Sequence, residues 1–263
     1  LSRCPMLVAH GQWAEARVLW AQRGDMAVTV DMAWNLPHVG AMARAQAEAD
    51  EAWALVREGV PNGPLTEPGT THFTALDLQC LAARLALDGG EHALARQWLE
   101  AHDCWLMWAG DEVCWGRADG QLGWAEYYWA LGEPETALRH AERALVHASE
   151  PRQPLILLAV HRLIGELDTD AGRYEEAETH LDASLALADA CAAPYERALT
   201  LLTMAALRAT TGTADVARTL LDQMRAICEP LGAKPALERG EGALKIASLR
   251  RDRFQCHLVS KSL

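Results

Sequence analysis

The sequence predicts an all-α fold, a right-handed solenoid of about six helix pairs closed by a C-terminal capping helix. Three observations carry this. Gly132, Gly172 and Gly212 stand at a common period of 40. An alanine follows each glycine by five: Ala137, Ala177, Ala217. An apolar residue follows it by nine: Ala141, Leu181, Leu221. Matching offsets at a fixed period mark stacked units, each too small to bury its own apolar face alone.

One unit reads as helix, tight turn, helix. Gln121 to Leu131 lacks proline and is rich in helix formers and aromatics. Gly132 ends that helix, because glycine enters the left-handed backbone region at little cost. Glu133 and Pro134 restart the chain, an acid and a proline that suit a first helical turn. Ala137, Ala141, Ala144, Leu145 and Ala148 then form one apolar stripe. Gly172 and Gly212 open the equivalent helices carrying Leu181, Ser184, Leu185 and Ala188, and Leu221, Met224 and Cys228. The small residue five after the glycine is expected where the second helix crosses the first.

Residues 1–59 read as irregular repeats that begin in mid-unit, which points to a longer parent chain. Gly11 and Ala16 keep the glycine-to-alanine offset. Asp25 to Asn35 is a candidate first helix, and Gly40 with Ala45, Ala49 and Ala52 places the second at about 40–58. Residues 60–70 hold three prolines and two glycines in a loop signal, a candidate hinge. Regular units fill 71–233, with Thr70 or Thr71 as the opening N-cap. Gly90, Ala95 and Leu99 restate the pattern, and a loose connection is expected between about 103 and 116. After Cys228 a proline-glycine stretch breaks the chain. Residues 234–250 read as the cap and 251–263 as a basic tail.

The run Gly172-Arg-Tyr-Glu-Glu-Ala177 with Leu181 and Leu185 resembles the tetratricopeptide repeat (TPR), whose usual period is about 34. The longer period here, the stretch from Leu185 to Leu199 and that from Ile227 to Arg239 resemble the arrays of MalT-like, LuxR-type bacterial transcription regulators, which are signalling ATPases. The resemblance implies an interaction or sensor module that binds a protein, peptide or effector in a concave groove. It implies that first helices line that groove. Arg84, Glu126 and Glu166 then lie six before the turn glycine, Asp88 and Asp170 two before, Trp129 three before and Arg162 ten before. Glu126, Glu166 and Asp170 would form an acidic strip suited to a basic or amine-bearing partner.

Composition narrows the function classes. The chain has 263 residues, 50% hydrophobic and 23% charged, which is globular in balance. A formal charge of −12 disfavours direct binding to nucleic acid or to anionic membranes. No apolar run reaches the roughly 18 residues of a membrane span. Seven cysteines lie scattered without paired spacing, as reduced core residues of a cytoplasmic protein do.

Chemistry finds no foothold. No GxxxxGK[ST] loop is present, so no nucleotide hydrolysis is assigned. His102, Cys104 and Cys114, with Asp103 or Asp111, are close in sequence but lack the spacing of a zinc site, so no metal or cofactor is expected. No nucleophile and base stand in a recognisable order, and the chain is expected not to be an enzyme. All ten tryptophans precede residue 130. They read as core filling between long helices, or as an aromatic-lined pocket near 98–129 for a small effector, which would make the chain a small-molecule sensor.

Overall fold

A computed structural model describes residues 3–24, 33–69, 72–110 and 115–243, and every regular element among them is helical. Twelve helices form six antiparallel pairs: α1 (Cys4–Ala9) with α2 (Trp13–Ala21), α3 (Leu36–Ala45) with α4 (Ala49–Gly59), α5 (His72–Asp88) with α6 (His92–Ala109), α7 (Arg117–Ala130) with α8 (Pro134–Ser149), α9 (Pro154–Asp170) with α10 (Tyr174–Ala190), and α11 (Pro194–Thr210) with α12 (Ala214–Leu231). A further helix, α13 (234–243), covers the last pair. The fold is an all-α, TPR-like solenoid.

Each pair turns on the same hydrogen bond. Gly132, Gly172 and Gly212 take φ of 75°, 76° and 85°. The next residue's N–H then reaches back to a carbonyl near the helix end: Glu133 to Tyr128 at 2.9 Å, Arg173 to Asp168 at 2.8 Å, Thr213 to Arg208 at 2.9 Å. This left-handed closure satisfies carbonyls that the helix end leaves open.

The alanine five after the turn sits at the helix crossing. Ala16, Ala52, Ala95, Ala137, Ala177 and Ala217 are all buried. A second small column faces them from the first helix, seven before the turn: Ala83, Ala125, Gly165 and Ala205. A β-carbon on Gly165 would stand 2.7 Å from Leu181 Cγ and 3.3 Å from the Ala177 carbonyl oxygen. The two columns let the axes approach, as close packing of interiors requires.

That second column corrects the reading of Gly40. Gly40 lies inside α3, not at a turn. The turn residue is Ala47 at φ 63°, and Glu48 N–H reaches Ala43 O at 2.8 Å. Gly40 stands seven before Ala47, in the crossing column, where its α-carbon faces the Leu81 side chain. Two boundaries also move. Helix α6 runs through Ala109, past the looseness expected from about 103. Helix α12 carries Pro230 in its last turn and ends at Gly232, φ 65°, rather than at Cys228. The expected helix at 25–35, the Thr70 or Thr71 cap, Asp111, Cys114 and the tail beyond 243 fall wholly or mostly outside the described residues.

First helices pack on the first helices of neighbouring units more extensively than second helices do on one another. They therefore form the inner, concave layer. The two ends of the array also meet. The Trp13 ring stands 5.0 Å edge-on from Tyr195. A β-carbon on Gly11 would lie 2.6 Å from Pro194 Cγ. The Gln46 amide donates to the Leu231 carbonyl at 2.7 Å. One apolar core joins α1 through α7 with α11, α12 and α13, whereas the middle units bury smaller, separate clusters.

Candidate functional site

The concave layer brings charged side chains of successive first helices into contact. Arg44 on α3 donates two hydrogen bonds to Asp88 on α5, at 2.6 and 2.9 Å. Arg84 on α5 reaches Glu126 at 2.7 Å and Asp119 at 2.8 Å, both on α7. Arg162 on α9 reaches the Glu196 carboxylate on α11 at 2.7 Å. Glu166 on α9 accepts from Thr203 of α11 at 2.7 Å and from Arg239 of α13 at 3.3 Å. A ladder of ion pairs thus runs along the trench, each rung linking one unit to another.

The inner residues of most rungs are half-buried, whereas Arg44 and Asp88 are 37% and 50% exposed. Side-chain exposure is 20% for Arg84, 18% for Asp119, 16% for Arg162 and 17% for Glu166. At such sites an ion pair is worth more than on an open surface, because water screens it less. Burial works against the Arg84 charge, yet Asp119 and Glu126 hold it firmly protonated. Burial likewise opposes the Asp119 charge, and the guanidinium beside it draws that carboxyl below its ordinary range. Asp77 is held instead by a hydrogen bond from Trp115. Burial, and then the charge of Asp119, push its carboxyl up to about 7, against the opposing pull of Trp115 and Arg84.

Of the residues anticipated from sequence, Arg84 and Glu126 are brought together, and Asp88, Arg162 and Glu166 each join a rung. Asp170 is exposed at the end of α9. Trp129 is half-buried and packs against the cluster between α7, α8 and α9. Glu126 and Glu166 do not present free charge, since arginines cover both. Sequence reasoning passed over Arg44, Asp119, Glu196 and Arg239, which complete the rungs. The signal for Arg44 was hidden by the misplaced turn: from Ala47 it stands three before, on the inner face of its helix.

The tryptophans are largely committed to packing. Trp13, Trp20, Trp98, Trp105 and Trp124 are buried, Trp53 and Trp129 half-buried, and Trp34, Trp108 and Trp115 exposed. Indole N–H groups fasten neighbouring segments: Trp105 to the Thr66 carbonyl at 3.0 Å, Trp124 to Asp103 at 2.9 Å. His102 is fully buried and Cys104 exposed, so the two point to different surroundings. Among the described residues no group of three or more His, Cys, Asp or Glu side chains is placed to hold a metal ion. No described helix is long and apolar enough to cross a membrane.

No protein-family model matches this sequence, and no curated protein matches it. Solved structures do. The chain is similar to a Rap protein crystallised in complex with Competence and Sporulation Factor, with a TM-score of 0.68 and 15% identity over 97% of this chain and 71% of that one. Two crystal structures of Podosopora anserina kinesin light chain TPR-like repeats align with TM-scores of 0.48 and 0.47 at 20% identity, over 73% of this chain and 92% of theirs. At 15% identity the likeness to the Rap protein is one of fold.

Proposed function

We propose that this chain is a non-enzymatic interaction module that holds a peptide or protein segment along its concave trench. The ladder of inter-unit ion pairs carries this reading. It places paired charges of both signs, partly wet, at regular intervals along one continuous surface. A segment lying there meets fixed donors and acceptors without the protein having to order them first, which lowers the cost of binding. Because the acids are already paired, the trench suits a partner of mixed charge better than a purely basic one. The Rap protein held a factor on a similar fold, which supports binding as the role of such an array.

The finer reading is that the chain is the repeat region of a MalT-like, LuxR-type transcription regulator working in the cytoplasm. The period of 40 and the stretches 185–199 and 227–239 support it. Sequencing the coding DNA on either side tests it: a nucleotide-binding loop upstream and a helix-turn-helix downstream are the expected finds.

The trench itself is tested by exchanging one rung. The double variant Arg44→Asp with Asp88→Arg keeps an ion pair at a more exposed rung but reverses its polarity. On an array of mixed-charge peptides the expected result is a changed set of bound sequences at an unchanged melting temperature. An identical binding set would remove the trench from consideration.

A further inference from the structure

The pairing of His161 and His180 is not needed by the fold. His161 on α9 and His180 on α10 face one another with Nδ1 atoms 2.9 Å apart, ring centroids 5.1 Å apart and planes inclined by 38°. The unit before places Gln121 and His140 at the same two repeat positions, also 2.9 Å apart. The unit after places Leu201 and Leu220 there, both packed into the apolar core. The same backbone frame therefore accepts an amide with an imidazole or two leucines. Two imidazoles at this spot are a property of the middle unit alone among these three.

Their spacing has a chemical meaning. Two nitrogens bound to one ion at about 2.0–2.1 Å stand about 2.9 Å apart when they subtend a right angle, and about 3.3 Å when the angle is tetrahedral. The observed separation is that of a hydrogen bond between the two rings and also matches the right angle. Both side chains are half-buried, so one flank stays open to solvent. They sit on one of the most extensively packed helix pairs among the described residues, which holds the two rings in fixed relation.

We propose that His161 and His180 chelate one divalent transition-metal ion of tetragonal preference, Cu(II) or Ni(II), through their Nδ1 atoms, with water in the remaining positions. On binding, the proton lying between the two Nδ1 atoms moves to an Nε2, so both rings stay neutral and no oxidant or reductant takes part. Zinc in a structural site would need four protein ligands in a tetrahedron, and no third ligating side chain completes such a group among the described residues. The site lies between the two helices of one unit and does not rest on the reading of the trench.

The test uses tag-free protein stripped with a chelator and titrated calorimetrically with Cu(II) and with Ni(II), with melting curves in parallel. One ion per chain and a raised melting temperature are expected. His161→Gln and His180→Gln should each weaken binding by about tenfold or more, since loss of a ligand exceeds loss of an outer-shell partner. Gln121 shows that the frame takes glutamine there. If either variant misfolds by circular dichroism, the double variant His161→Leu with His180→Leu, copying the next unit, replaces it. Binding or melting shifts that persist undiminished in a folded variant would overturn the proposal, as would the lack of any one-to-one site in the parent protein.

Discussion

The middle of this array and its two ends are built differently. Helices α8 to α11 bury small clusters of alanine and leucine, such as Ala137, Ala141 and Ala144, or Ala177, Leu181 and Leu207. Each cluster belongs to neighbouring units. The first three pairs use large aromatics, Trp13, Trp20, Trp98 and Trp105, and share one core with the last pair and its cap. The middle is held by contacts close along the array, which is how a solenoid is usually stabilised. The ends are held by one another across most of the sequence. Regular spacing is enough for the first kind of contact and says nothing about the second.

Removing bulk at an end and in the middle separates the two modes. Trp13→Ala should cost about 3–5 kcal/mol. Its particular mark is remote: hydrogen exchange should rise around Tyr195 and Leu231 as well as in the first pair. Leu181→Ala should cost about 2–5 kcal/mol, with faster exchange confined to α9, α10 and α11. If Trp13→Ala left exchange at 195–231 unchanged, the ends would not be coupled.

Overpacking tests the middle alone. Ala177→Leu should destabilise by about 1–3 kcal/mol, read from denaturant titration, because Gly165 and Ala177 meet at the crossing of α9 and α10. The same change at the exposed Ala171, one turn residue away, should be nearly silent.

The Asp77 carboxyl gives a pH test in the aromatic half. Its folded value, about 7, lies above the ordinary carboxylate range. A raised carboxyl pKa means that the protonated form is the one the fold favours, so its contribution is full in acid and is lost as pH rises through about 7. Asp77→Asn should therefore stabilise the protein at pH about 8 by about 1–2 kcal/mol, a shift discounted for partial exposure, and should do little at pH about 4. Equal melting gains at both pH values would show that ionisation is not the cause.

The smallest effect concerns the irregular turn. Ala47 holds φ 63°, which alanine adopts at a cost. Ala47→Gly should stabilise by up to about 1 kcal/mol, while Gly172→Ala in the regular unit should destabilise by a similar amount. A thermal melt of both variants reads the sign.

Much of the fold was legible because turn glycines and crossing alanines answer to local geometry. Gly132, Gly172 and Gly212 announce themselves by backbone conformation, and Ala137, Ala177 and Ala217 by the space available. Gly40 misled because a glycine satisfies two different demands, a left-handed turn and a close helix approach, and sequence does not say which. Ala47 was missed because alanine rarely takes that turn. The inner-face acids could be placed by counting back from each turn. Arg84 and Arg162 could be placed in the same way, but Arg239 could not, because it reaches Glu166 from a helix 73 residues away. The contact of Trp13 with Tyr195 had no periodic trace at all.

That contact bears on how the molecule comes apart. An open stack of helix pairs frays from its tips, shedding outer units while the centre stays folded. Here each tip is the other's neighbour, so neither can peel away without exposing both. The array should behave less like a zipper than like a hoop: loss of one end weakens the other, and melting becomes a single event for the whole chain.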